Sequence, residues 1–411
     1  MAETKKVLDA SGRGQAGDFR VPFPGVMYSY NEDEIAAVVE VMRTAKSLTQ
    51  GAYMQKFEGE WKAYVGAKHA FAVDNATNAL HLAAVLCRFK PGDEVIIPAY
   101  TFCATAIPFG KEGPKIVWAD IDPDTRVVSP ADIARKITPR TKAIVVVHLL
   151  GMPVDMDPIM ELARQHTLKV VEDCAQAPGA TYKGKKVGSI GDYGCYSFQS
   201  AKNMTTLGEG GVITVNNDTD AALVPGLRHN GVRGFPPGRP RYWVPAMSLV
   251  DLDMEGEWPH NYCIGEAQCA LGSILLKRLD KVNETLRAQA FRLMKGLEDI
   301  KEISFQKVPP GHQHIYHVLI GKFDGSKLGK TREDFMDIMT NEFGLRMIVQ
   351  YYPLYRYPLF QKMGFGTADC PNLEAYWDHS FSFPWWCGIP DETIDYMIDC
   401  THKAIAKLRK G

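Results

Sequence analysis

LKVVEDCAQAPGATYKGKKVGSIGDYGCYSFQSAKNMTTLGEGGVITV, residues 168–215, holds three short apolar runs separated by turn-rich segments. The first run ends in the acids Glu172-Asp173. The second ends at Phe198, shortly before Lys202, and the third follows Gly208-Glu209-Gly210-Gly211. Apolar runs of about 4 to 8 residues bounded by Gly, Pro and polar residues read as buried strands. Similar runs lie upstream near 70–74, 94–98, 115–119 and 143–148, and several alternate with helix-like stretches such as Leu80 to Leu86 and Pro158 to Arg164. The pattern predicts an α/β fold: a mostly parallel seven-stranded sheet between helices. Ligands of such sheets bind beyond the carboxyl ends of the strands.

The flanks extend this reading. Residues 1–30 are rich in Gly and Pro and are expected to form an N-terminal arm. Asn31 with Glu34 forms a capping-box pattern for a helix carrying Ile35, Val38, Val39 and Met42, and a second helix carries Phe57, Trp61 and Tyr64. Residues 31–275 make up the expected large domain. The stretch 217–260 is irregular, with Pro236, Pro237, Pro240 and Pro245 among Arg and aromatic residues. A long helical pattern from about Glu266 to Leu297 leads into a smaller C-terminal α/β domain, 276–411, which closes with a helix from about Asp391.

Bulk properties exclude several functions. The 411 residues allow a large and a small core, and 47 Lys+Arg against 48 Asp+Glu give a formal charge of -1. That balance offers no field for nucleic acid or an anionic membrane. No apolar run of about 18 residues is present to cross a bilayer. The nine cysteines are scattered singly, as reduced thiols would be, and no secretory signal follows the N-terminus, so a cytoplasmic location is expected.

Three groups converge on the predicted sheet edge. A carboxylate at Asp173 can meet a protonated ring nitrogen and strengthen a heterocycle as an electron sink. Lys202 is carried to the same edge, and lysine is the side chain whose charge shifts readily on burial, as Schiff-base chemistry requires. Alone, Asp173 reads as a structural strand-end acid and Lys202 as a solvated surface lysine. The dense turn chemistry around Lys202 argues against a plain surface hairpin. Asp74-Asn75-Ala76-Thr77-Asn78 marks a strand-to-helix turn whose first free amides suit a phosphate, with the Thr77 hydroxyl beside them. Phe102, just past the strand ending near Pro98, suits stacking on a flat ring.

These residues resemble the DegT/DnrJ/EryC1/StrS family of sugar aminotransferases over nearly the whole chain. Its landmarks include Leu48-Thr49-Gln50-Gly51, Pro98-Ala99-Tyr100-Thr101-Phe102, Asp120-Ile121-Asp122, His148 with Gly151, and Glu172-Asp173-Cys174-Ala175-Gln176. Gly191 to Gly211 is the most specific stretch, and Pro353-Leu354-Tyr355 and Cys370 to Glu374 follow. The resemblance implies a fold-type-I transferase dependent on pyridoxal 5'-phosphate (PLP, cycling with its amine form PMP), and a homodimer with shared active sites. Lys202 is then the Schiff-base lysine and proton shuttle. Asp173 pairs with the pyridine nitrogen, and Gln176 sits near the ring hydroxyl. Thr77, Ser197 and the amides around Ala76 hold the phosphate, Phe102 stacks on the ring, and Asn261 reaches the phosphate of the neighbouring subunit. Ala76 stands where the family usually has Gly, Leu207 lengthens the connection to Gly210-Gly211, and Cys263 stands where Arg or Asn is common.

The implied reaction moves an amino group from L-glutamate or L-glutamine to a nucleotide-linked ketosugar. A keto-cyclitol such as an inosose is the alternative acceptor, since Phe198-Gln199 also resembles members acting on carbocycles. A sugar dehydratase of the same fold has histidine in place of the lysine, which Lys202 argues against. A non-catalytic PLP-binding regulatory protein is the reading from another class. Gly12 to Gly17 matches a dinucleotide fingerprint only as a string, lacking the strand before it. Asp120, Asp122 and Asp124 read as turn residues, because Thr125 and Ala131 stand where a calcium loop needs Gly and Glu. His312, His314 and His317 lack an acidic or Cys companion, so no metal site is expected.

Overall fold

The structure, a computed structural model, describes residues 19–23, 30–232 and 250–410. Most of the N-terminal arm, the Gly12 to Gly17 string, and Arg239, Arg241, Tyr242 and Trp243 lie outside the described residues. The strands are β1 (His69–Val73), β2 (Glu94–Pro98), β3 (Lys115–Ala119), β4 (Thr141–Val147) and β5 (Lys169–Asp173). They continue with β6 (Thr181–Tyr182), β7 (Lys185–Lys186), β8 (Tyr193–Ser197) and β9 (Gly211–Val215). Seven of them form one sheet in the order β1-β9-β8-β5-β4-β2-β3. Only β9 runs against its neighbours, pairing antiparallel with both β1 and β8. The predicted runs and the observed strands agree closely, because strands buried on both faces leave near-continuous apolar stretches.

Helices cover the sheet. The first three, α1 (Glu32–Thr44), α2 (Ala52–Val65) and α3 (Ala76–Leu86), begin as the sequence indicates. Asn31 and Glu34 form the reciprocal capping box of α1, at 2.9 and 3.0 Å. The face of α1 differs from the expected one: Val41 and Glu34 are buried, while Ile35 and Met42 are exposed. Arg278 pairs with Glu34 at 2.9 Å, which lets the acid turn inward. In α2, Phe57 and Trp61 are fully buried and pack edge-on against Phe198 of the Lys202 segment. The helical pattern expected from Glu266 to Leu297 resolves into two helices, Glu266–Leu276 and Leu279–Gly296, because the chain turns at Lys277-Arg278.

Beyond these, β10 (Ile303–Phe305), β12 (Ile320–Phe323) and β13 (Ser380–Ser382) form a second sheet. The short strand β11 (His312–Gln313) instead joins β6 and β7. The terminal helix runs from Asp391 to Leu408. The buried apolar residues fall into two clusters, one around the large sheet and one joining the helix Leu279–Gly296, the second sheet and the terminal helix. Residues Leu354, Phe360, Leu373 and Tyr376 return to the larger cluster. That return carries the segment ending at Tyr351 to the edge of the large sheet.

Candidate active site

At the carboxyl ends of the strands lies a cavity of 530 Å3, lined by residues from widely separated parts of the chain. Asp173 ends β5, hydrogen-bonded in register between Val147 of β4 and Cys195 of β8. Lys202 follows β8 on a turn in which its amide donates to the Gln199 carbonyl at 2.8 Å. The topology therefore brings both to the same wall, since parallel strands deliver their following loops to one edge.

The charges of the two groups are shaped by burial. Asp173 is buried, which pushes its carboxyl above the ordinary aspartate value, while an Ala175 amide at 3.0 Å, the Thr105 hydroxyl at 2.8 Å, Lys202 and His148 pull the other way. Burial also holds the Lys202 amine below the ordinary lysine value, against the opposing pull of Asp173 and Glu209. An amine that can lose its proton thus faces the same space as a carboxyl with spare acceptor capacity. Such perturbed pairs in a cleft mark functional sites.

The opposite end of the cavity is built to donate hydrogen bonds. Asn75 caps α3, its side chain accepting the Asn78 amide at 2.9 Å. The amides of Ala76 and Thr77, in the first turn, have no intrahelical acceptor. Both residues line the cavity together with Ser197, the last residue of β8. Gly211 makes this corner possible. It pairs with Ser197, and a Cβ there would lie 2.7 Å from the Asn75 carbonyl carbon and 2.9 Å from the Ala76 amide. Phe102 is 53% exposed along the wall, its ring 6.0 Å from that of Tyr351. Gln176 is fixed from both sides, accepting the Leu150 amide and donating to the Tyr351 hydroxyl, each at 2.7 Å.

Of the expected site residues, Ala76, Thr77, Phe102, Asp173, Gln176, Ser197 and Lys202 share this cavity. Asn261 does not. It is exposed, bridged to His229, and outside the cavity of its own chain. Four further cavity residues were given no role in the site from sequence, His317 having been considered only as part of a metal set. Thr105 is buried and links Asp173 to Thr101 through a hydroxyl pair at 2.8 Å. Tyr351 lines the wall, burial pushing its hydroxyl up to about 12. Glu209 and His317 also face the cavity. His317 is buried against the Asn203 side chain at 2.7 Å, and burial together with Lys202 holds its ring well below the usual histidine range. His314 points elsewhere, bonded to Gln306 at 3.1 Å, so the run of three histidines is not a ligand set.

Among the described residues, His148, Glu172 and Cys174 bring potential metal-ligand atoms together. The lone pairs of His148 and Glu172 are already committed, and Cys174 donates to the Glu172 carbonyl. His148 accepts the Val154 amide at Nδ1 and therefore carries its proton at Nε2, which donates to Glu172 at 3.0 Å. Glu172 also accepts the amides of Gly188, Ile190 and Gly191 at 2.6 to 2.8 Å. Asp122, one of the alternating aspartates, accepts the amides of Asp124 and Thr125 at 3.0 and 2.8 Å, as a turn residue does.

A doubly covered, mostly parallel sheet with a buried lysine whose amine is held below its ordinary value, a buried strand-end acid and a set of free helix-start amides defines a fold-type-I PLP-dependent aminotransferase. The chain belongs to the DegT/DnrJ/EryC1/StrS aminotransferase family, whose model matches residues 29–402. It is 36% identical to a GDP-perosamine synthase of Caulobacter vibrioides over 366 residues, 88% of this chain and 92% of that protein. It is 33% identical to the spore coat polysaccharide biosynthesis protein SpsC of Bacillus subtilis over 375 residues, 91% of this chain and 95% of that protein. The fold superposes on an aminotransferase from Psychrobacter cryohalolentis with a TM-score of 0.83 and 29% identity, covering 94% of this chain and 100% of that one.

Proposed function

We propose that this enzyme transfers an amino group from L-glutamate or L-glutamine to a ketone on a nucleotide-linked sugar, with Lys202 holding PLP. The observation that carries the reading is the meeting of Lys202, Asp173 and the free amides of α3 in one cavity. The residues fit the cofactor: an amine for its aldehyde, an acid for its ring nitrogen, and donors at Ala76, Thr77 and Ser197 for its phosphate. The GDP-perosamine synthase relative supports a nucleotide-linked acceptor.

When bound, PLP supplies an electron-accepting ring that stabilises negative charge at the donor carbon. The chain's own residues do the rest. Lys202 Nζ, held below its ordinary value, accepts the proton released from that carbon and returns it when the acceptor is aminated. Asp173 would meet the ring nitrogen and hold its proton there, a pairing that would offset the burial of the carboxylate. Thr105 and the Ala175 amide fix the orientation of that acid. Gln176, clamped by Leu150 and Tyr351, orients the ring hydroxyl. Phe102 would stack on one ring face and limit water there.

The same reading gives Asn261 to the neighbouring subunit's phosphate in a homodimer. Its exposed position outside its own cavity suits that role. It also divides the chain into domains 31–275 and 276–411 and places the enzyme in the cytoplasm. No described helix is long and apolar enough to cross a membrane. The test is spectroscopic. Adding L-glutamate or L-glutamine to the PLP-loaded protein should bleach its visible absorbance, and a nucleotide-linked ketosugar should restore it. Bleaching without restoration by that ketosugar, but with restoration by an inosose, would replace the acceptor. No bleaching by either donor would sink the aminotransferase reading.

A further inference from the structure

A second cavity of 250 Å3 lies on the far side of the Lys202 loop, where the helix Leu279–Gly296 meets the β6–β7 hairpin and β11. Its polar wall is formed by Lys186, Asp280, Asn283, Glu284, Arg287 and Gln313. Three of these groups are already matched. Asp280 accepts the Tyr64 hydroxyl at 2.6 Å and pairs with Lys186 at 3.3 Å, and the Lys186 ammonium also sits 3.8 Å from the Tyr64 ring centre. Asn283 accepts from Asn203 at 2.9 Å and donates to the Pro178 carbonyl at 2.8 Å.

Three groups are left over. Among the described residues no carboxylate pairs with Arg287, and its Nε is buried with no hydrogen-bond partner. The Gln313 side chain accepts from the Thr181 hydroxyl at 3.2 Å, and its amide hydrogens have no partner among the described residues. Glu284 has only a loose, exposed pairing with Lys281 at 3.8 Å. A guanidinium with a neighbouring amide donor is the recognition pattern for a carboxylate. Glu284, one turn before Arg287 on the same helix and exposed, lines the same space with a carboxylate that can accept an ammonium.

We propose that this seam pocket binds a small α-amino acid, its carboxylate on Arg287 and Gln313 and its ammonium on Glu284. The pocket is too small for a nucleotide, and a simple anion would leave Glu284 facing it unmatched. One wall reaches the reaction site through hydrogen bonds. Asn203, which follows Lys202 in sequence, donates to Asn283 and accepts from the His317 ring in the catalytic cavity at 2.7 Å. An occupant of the seam pocket therefore touches a residue two hydrogen bonds from the wall of the first cavity.

The probe is N,N-dimethylglycine, a zwitterion whose tertiary amine cannot condense with an aldehyde and so is barred from Schiff-base chemistry at Lys202. Calorimetric titration of the PLP-loaded protein should show saturable binding of one molecule per chain, with acetate at least tenfold weaker. Arg287→Gln should weaken dimethylglycine at least tenfold while leaving transamination in its absence unchanged. Glu284→Gln should erase the preference over acetate. Arg287→Lys, which keeps the charge, serves where the glutamine variant fails to fold, and should weaken binding less. Absence of saturable binding, or binding unaffected by Arg287→Gln or Arg287→Lys, would overturn the proposal and leave the aminotransferase reading intact. Equal affinity for acetate would reduce the site to an adventitious anion contact and also overturn it.

Discussion

Glu172 and Asp173 are adjacent buried carboxylates at the end of one strand, yet their surroundings are opposite. Successive side chains on a strand leave on opposite faces. Glu172 turns into the protein and receives three backbone amides and the His148 ring. Asp173 turns to the cavity and receives one amide and one hydroxyl. The first acid is saturated and holds the Gly188–Gly191 turn that leads into β8. The second keeps acceptor capacity in reserve for a partner that carries a proton. Burial alone thus says little about function; the count of unanswered acceptors does.

That contrast can be broken at four points. The largest effect is expected at the amine that shares the cavity with Asp173. Lys202→Ala should lower transamination by about 10⁴-fold or more, measured as single-turnover loss of the PLP absorbance with glutamate. Asp173→Asn should lower kcat/KM by about 10³-fold, from the same order of contribution by a charged group at the reacting ring. Its effect on the cofactor-free protein should be the reverse. The folded carboxyl titrates above its unfolded counterpart, so its penalty is absent below the unfolded value and grows as pH rises from there to the folded value, then stays constant. Cofactor-free Asp173→Asn should therefore match wild type in acid and exceed it in melting temperature near neutrality.

Glu172→Gln should do the opposite again. Replacing two acceptor oxygens by one leaves buried donors unmatched and should cost about 3 kcal/mol of unfolding free energy, read from urea midpoints of the cofactor-free protein. Activity per folded molecule should fall far less than in Asp173→Asn. If Glu172→Gln instead lost activity without losing stability, the division between a structural and a functional acid would be wrong. The smallest effect belongs to the support behind Asp173. Thr105→Val removes one hydrogen bond to the carboxyl and should lower kcat/KM about tenfold, equivalent to about 1.4 kcal/mol, with a near-normal melting temperature.

The same contrast explains what could be read from the sequence. All seven strands of the large sheet were visible as apolar runs, because they are buried on both faces. Lys202, Asp173 and the α3 start were legible because each belongs to a strand-end or cap pattern that local sequence encodes. Thr105, Tyr351 and His317 were not. Each reaches the cavity through contacts spanning long stretches of chain: Thr105 is 68 residues from Asp173, and Tyr351 is 175 from Gln176. A lone Thr after Phe102, or a Tyr in an aromatic-rich loop, carries no periodicity that marks it. The inward face of α1 was misjudged for a related reason. Burial of Glu34 depends on Arg278, which arrives from a helix junction far along the chain. The residues around Trp243 lie outside the described structure, while Trp258 is exposed and outside the cavity lining.

The most direct test of Lys202 as the cofactor lysine is chemical. The PLP-loaded protein is reduced with borohydride, digested and sequenced by mass spectrometry. A phosphopyridoxyl group on the peptide containing Lys202, and on no other lysine, is the expected result. A label on a different lysine, or an unlabelled protein after saturation with PLP, would contradict it.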